Sequence, residues 1–404
     1  RVSTKLKVIC LGPASKVIKI AMKILFCSPN PLTKSLGAPK VLIELAENLE
    51  IFGWDCKLVG PSDVLGYEVI TKSAFWKQYP VALRRYLLHH SAKYDVVDYD
   101  YAYLPFSRDE FPRKPLFVAR SVLLAHHFLN IQIPQTVGSL SLKKNFKSKV
   151  RALVFGPYYK KQLRDRAERC HRTIDQSDIV VVLNFSDKEV LVDRGIPSQK
   201  IYVVPSGISD ERRKIFDKVS EYPTNLNRIV FVGTFDNRKG ANEMPLIFEK
   251  ISEIKPDSKL RLLGSLGLYK TKAEILSCFP DYLRNRVEVV ESFEPLELPK
   301  LLADCSVGIF PSYIEGFPFG VLEMLAASLP VIAYDSPGPP MMLDKEYLVP
   351  IGDYLSLSYK VNTLLTNPET LLSARIWAKN RSKEFSWEKS ASIMDQIYRS
   401  NLAL

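Results

Sequence analysis

Two carboxylates, Glu315 and Glu323, stand eight residues apart in the run EGFPFGVLE, with two glycines, a proline and two phenylalanines between them. The run follows VGIFPS, an apolar stretch of strand length, and leads into VLEMLAAS, which reads as a helix. A strand-to-helix loop is therefore expected, with the helix beginning near Gly320. Helix N-termini offer unpaired N–H groups and positive potential, a setting that suits a diphosphate. Gly316 and Gly320 let backbone come close to a ligand. Glu323 falls in the first helical turn, where its carboxylate can accept hydrogen bonds from a vicinal diol. Glu315 falls at the strand end, on the other side of the loop. One acid could grip a ribose and the other a sugar. The spacing alone fits two surface acids around a tight turn equally well, so the surroundings must decide.

Those surroundings alternate strand and helix twice over. KILFCS, from Met22, reads as a buried strand, and GAPKVLIELAENLEIFG as an amphipathic helix ending at Gly53. Strands follow at CKLVG, YDVVDYD, PLFVARS, DIVVVLN and KIYVVPSG, with a basic helical region before the fifth of these six. After the polar SEYPTNLN a second series opens at RIVFVGTF and continues through KLRLLGSL, VEVVESF, SVGIFPS and LPVIAYDS. Short apolar runs separated by helices indicate parallel sheets covered on both faces. Two such series imply an α/β protein of two doubly wound domains facing a cleft, with ligands beyond the carboxyl ends of the strands. The expected boundaries are 22–205 and 206–385, preceded by a basic, poorly ordered extension over 1–21.

Composition narrows the classes. A chain of 404 residues with 46% hydrophobic and 25% charged residues has ordinary globular character and enough length for two cores. Six scattered cysteines, with no CxxC pair and no His at ligand spacing, argue against a disulfide framework or a zinc site. They point instead to a reducing, cytoplasmic compartment. No apolar run approaches the length of a membrane span. The net charge of +12 is concentrated: residues 143–172 carry eleven Lys/Arg against two acids, and residues 1–21 carry five against none. A basic segment containing Phe146, Phe155, Tyr158 and Tyr159 suggests an anionic membrane surface, with a solvated helix face as the plain alternative. Nucleic acid is disfavoured, since no recognition module is visible.

Taken together, ADCSVGIFPSYIEGFPFGVLEMLAASLPVIAYDSPGPPMML closely resembles the signature region of the family 4 retaining glycosyltransferases, whose hallmark is E-x7-E. FVGTFDNRKG, SDIVVVLNFSDKEVLVDRGIPSQKIYVVPSGI and LTKSLGAPKVLIELAENLEIFGWDCKLV resemble further parts of that family in the same order. The resemblance implies a GT-B fold whose last helix, 386–404, crosses back to the first domain. It also implies a nucleotide-sugar donor of UDP or GDP type in the cleft, and no cofactor. By the same resemblance Glu323 holds the donor ribose and Glu315 lies near the transferred sugar. The backbone of Gly316, Phe317, Pro318 and Phe319 contacts sugar hydroxyls, and that of Gly320, Val321 and Leu322 the diphosphate. Lys239 neutralises the departing diphosphate, which makes a divalent metal unnecessary. Thr234 follows Gly233 where relatives often have Arg, and Arg238 is expected to supply the second cation. Leu36-Gly37 replaces the usual glycine pair of the first loop. Val122 stands where many relatives have histidine, and His126 resembles a second family histidine and is carried as a catalytic candidate.

The reading is a retaining transferase moving a sugar to a glycan, lipid-linked or other hydroxyl acceptor, at the inner face of a membrane. Diphosphate departure and acceptor attack would share one face of the sugar. Two alternatives share the architecture: a catalytically silent nucleotide-sugar-binding protein, and a nucleotide-sugar epimerase, which the intact E-x7-E and RKG disfavour.

Overall fold

The computed structural model describes residues 21–34, 37–66, 72–104, 106–134, 142–222 and 227–403; for 72–74, 76, 142–157 and 159 it describes backbone alone. The extension expected over 1–21, all but its last residue, and the departure at Leu36 lie outside the described residues.

Two six-stranded sheets form, each wholly parallel. The first has the order β2-β1-β3-β4-β5-β6, built from Met22–Cys27, Trp54–Val59, Val96–Asp100, Leu116–Arg120, Ile179–Val182 and Ile201–Val203 taken as β1 to β6. The second has the order β12-β11-β10-β7-β8-β9, with β7 to β12 at Arg228–Val232, Lys259–Leu263, Val287–Val290, Val307–Phe310, Val331–Tyr334 and Leu348–Val349. Strands such as β5 and β10 are buried along their whole length, which explains why they read as unbroken apolar runs rather than alternations. Each sheet reverses its winding once, between β1 and β3 in the first and between β7 and β10 in the second. Those reversals are where open parallel sheets leave a crevice for ligands.

The last helix, Trp387–Leu402, starts where the Ser386 hydroxyl accepts the Lys389 amide at 3.2 Å. It packs on the first sheet: Trp387, Met394 and Tyr398 share a core with Phe26, Val96 and Val118. A buried polar cluster fixes it there. Asp98 accepts from Arg120 Nε at 3.0 Å and from the Tyr398 hydroxyl at 2.7 Å, and neither charged side chain is left without a partner. The basic region forms one helix, Leu142–Gln176. In it Tyr158 is 62% exposed, whereas the side chains of Phe146, Phe155 and Tyr159 lie outside the described residues. Among the described residues no helix is long and apolar enough to cross a membrane.

Candidate active site

The winding reversal of the second sheet brings two loops together, one leaving β7 and the other leaving β10. The loop after β7 makes a tight turn over Asn237–Lys239, capped by Asp236, whose carboxylate accepts the Lys239 amide at 3.1 Å. Thr234, which follows Gly233, donates its hydroxyl to the other oxygen of Asp236 at 2.7 Å and so steadies the cap. Lys239 and Arg238 are thereby aimed across at the loop after β10.

Glu315 lies there, 7% exposed. Its Oε1 accepts from Lys239 Nζ at 2.9 Å and from the Ser312 hydroxyl at 2.6 Å, and lies 2.9 Å from Arg238 Nη1. Arg238 also donates to the Ile314 carbonyl at 2.6 Å. Burial pushes the Glu315 carboxyl up, but Lys239 and Arg238 together with the serine outweigh it and hold the group below the usual carboxylate range. This is an anion kept charged in a nearly dry place by two cations that converge, with the serine hydroxyl, on one oxygen.

Glu323 falls on the helix Phe319–Ala326, 8% exposed. It does not stand free. Arg212 Nη2 donates to its Oε1 at 2.7 Å, and Lys40 Nζ, from the first domain, lies 3.9 Å away. Lys40 also sits 4.8 Å above the Phe319 ring. Burial lowers the Lys40 pKa below its ordinary value, more than Glu323 opposite raises it. Neither Lys40 nor Arg212 belongs to a motif that the sequence displays. Arg212 carries a faint signal, because it precedes the fully buried Phe216 by four residues and so shares its helical face. Gly37 opens the helix Gly37–Ile51 with open space where a side chain would be.

The loop between the two acids is clamped across the cleft. A Cβ on Gly316 would come within 1.9 Å of the Val122 carbonyl oxygen, and one on Gly320 within 2.5 Å of that of Val232. The glycines expected to admit a ligand are thus required by protein backbone. Asn184 of the first domain donates to the Gly316 carbonyl at 2.8 Å, and Asn242 of the second donates to that of Pro134. Phe317 and Phe319 meet edge to face at 5.1 Å behind the loop. In the first helical turn the amides of Val321 and Leu322 already donate to the Pro318 carbonyl, so the Gly320 amide is the one of the three those bonds leave over.

The structure corrects the expectation for His126. Its side chain is fully buried, without a partner for either ring nitrogen, and it faces His171 edge to face at 5.8 Å. Burial first, then the positive charges around it, push its pKa down to about 3. A ring so placed reaches no substrate, because the helix Leu142–Gln176 covers it. The adjacent His127 is paired with buried Asp187 at 2.7 Å. Among the described residues no group of three or more His, Cys, Asp or Glu is placed to hold a metal ion.

Residues 212–383 match the family model described as glycosyl transferases group 1. The second domain belongs to that family. This group 1 domain contains every residue of the Glu315 and Glu323 clusters except Lys40. An uncharacterized glycosyltransferase of Methanocaldococcus jannaschii is 27% identical over 53% of this chain and 59% of its own. The alpha-galactosylglucosyldiacylglycerol synthase of Streptococcus pneumoniae is 24% identical over 77% of each. Several curated relatives are matched over about half their length, 59%, 54% and 44% of them. Among solved structures, a sucrose-phosphate synthase from Thermosynechococcus elongatus superposes with a TM-score of 0.69 at 18% identity, covering 95% of this chain and 99% of that one. The group 1 domain and its partner sheet therefore share the GT-B fold.

Proposed function

We propose that the protein transfers a sugar, with retention, from a nucleotide-diphosphate-sugar to a hydroxyl acceptor. The observation that carries this reading is the convergence of Lys239 and Arg238 on buried Glu315 at the winding reversal of the group 1 domain. Two cations fixed beside a cleft suit a leaving diphosphate, which concentrates negative charge as it departs. When the donor enters, its diphosphate competes with Glu315 for those cations. Glu315 then turns an oxygen to the hydroxyls of the transferred sugar, and Glu323 exchanges part of its contact with Lys40 for the ribose diol. Attack and departure share one face, and the departing phosphate oxygen takes the acceptor's proton. Neither acid has to act as a nucleophile. Because Lys239 and Arg238 supply the charge, the reaction needs no divalent metal.

The acceptor is a glycan or lipid-linked hydroxyl presented at an anionic membrane surface on the cytoplasmic side. The length and basic composition of the helix Leu142–Gln176 and the exposed Tyr158 support that placement. Incubating the protein with radiolabelled UDP- and GDP-sugars, with and without an acceptor lipid extract, tests the reading. Label moving into extract supports transfer. Binding without transfer points to the silent binding protein, and conversion of the donor sugar without acceptor to the epimerase.

A further inference from the structure

The first domain holds a cavity of about 690 Å³ at the carboxyl end of β3, between the helix Lys72–His90 and the helix Leu142–Gln176. Three cations line it, Lys77, Arg166 and Arg169, against one acid, Asp165. Tyr103 and Thr173 add hydroxyls to its wall. Among the described residues none of the three cations is held in an ion pair, unlike Lys239, Arg238, Lys40 and Arg212, which all are. The cavity is not remote from the cleft. Ala102 and Tyr103 border it, and Asp100, two residues before Ala102, borders a small cavity at the winding reversal of the first sheet. That small cavity also touches Val122, whose carbonyl abuts Gly316 of the donor loop. The segment from Asp100 to Tyr103 thus borders both the basic cavity and the small cavity beside the donor loop.

We propose that this cavity is an acceptor subsite, and that it holds a phosphate or diphosphate ester of the acceptor on Lys77, Arg166 and Arg169. The inference rests on the transferase reading and names the acceptor's chemistry. Paired guanidinium forks match phosphate oxygens in geometry as well as charge, and a lysine beside them adds a mobile point charge. A volume of this size holds a phosphate together with at least one sugar ring. The same chemistry comes from two sources, a lipid diphosphate or a free sugar phosphate.

The probe is inorganic pyrophosphate, titrated calorimetrically into the full chain. Two sites are expected, one removed by Lys239→Ala and the other weakened at least tenfold by the double change Arg166→Gln and Arg169→Gln. Both arginines are exposed, and an unchanged thermal midpoint verifies that the double variant folds. Displacement of the second pyrophosphate by a polyprenyl diphosphate in micelles assigns a lipid source, and displacement by glucose 1-phosphate a soluble one. A single site abolished by Lys239→Ala, unchanged affinity in the double variant, or displacement by neither competitor overturns the proposal. The transferase reading fails separately: absence of sugar transfer with the second site intact would leave an anion site without that chemistry.

Discussion

Replacing Glu315 with Gln separates two roles that ordinary loss-of-function variants confuse. In the empty protein this carboxylate neutralises the cations that a leaving diphosphate needs, at 2.9 Å from both. A charge pair near 4 Å contributes about 4 kcal/mol at an effective dielectric of about 20, before the cost of desolvation. Lys239 and Arg238 keep 16% and 25% of their side-chain surface, so water recovers much of that when the anion is removed. A net gain of about 1–2 kcal/mol is expected for a competing diphosphate, or roughly five- to thirtyfold tighter binding. Turnover moves the other way, because the variant loses an ionic hydrogen bond to the transferred sugar worth about 1.5–3 kcal/mol, so a fall of roughly ten- to a hundredfold is expected. Leaving two mostly covered cations unbalanced also costs about 1–3 kcal/mol of stability. The assay is calorimetric titration of UDP and GDP into wild type and Glu315→Gln, beside rates at saturating donor. Diphosphate affinity that is unchanged or weaker in a folded variant would refute the competition between Glu315 and the leaving group.

Glu323→Gln should weaken donor binding roughly ten- to a hundredfold while lowering turnover at saturating donor less, since its place is on the ribose; equal losses in both, by initial-rate kinetics, would contradict this. His126 makes the fold acid-sensitive. Folded, it takes up a proton only near pH 3, whereas unfolded it does so near its ordinary 6.5, so the unfolded chain binds more protons between those values and stability falls as pH drops. At pH 4.5 the loss approaches about 3 kcal/mol, and urea midpoints measured from pH 7 to 4.5 should fall less steeply in His126→Phe; parallel slopes would remove His126 as the cause. Changing Lys143, Lys144, Lys147 and Lys149 to Glu should abolish co-sedimentation with anionic vesicles at low salt, whereas equal recovery with neutral vesicles would leave the segment a solvated face.

How far the sequence reaches depends on what kind of force places a residue. The strands from β1 to β11 are legible as short runs rich in apolar residues between helical stretches, and those buried along their whole length, such as β5 and β10, need no partner to be recognised. β12 is missed: Leu348–Val349 is two residues long and carries no pattern. Glu315, Lys239 and Arg238 are found through a motif that encodes two loops meeting at a winding reversal, though their mutual ion pairing is not visible until the loops are folded together. Lys40, Arg212 and Asn184 escape because their importance comes from approach between distant segments, and Ser312 because its bond to Glu315, three residues on, depends on how the loop folds. A lysine three residues into a helix reads as solvated until Glu323 arrives beside it. His126 fails in the opposite direction. Its type suggests chemistry, but the helix that buries it begins sixteen residues later, and burial leaves a neutral ring with nothing to act on.

The most direct measurement is the anomeric configuration and rate of sugar transfer by wild type and Lys239→Ala, each with and without EDTA. Once the accepted donor is identified, product configuration is read by proton NMR and the rate by release of the nucleoside diphosphate. The expected result is retention, a wild-type rate indifferent to EDTA, and a rate reduced at least a hundredfold in Lys239→Ala with donor still bound. Inversion, an absolute need for Mg²⁺ or Mn²⁺, or full activity in Lys239→Ala would contradict a leaving group carried by the cations beside Glu315.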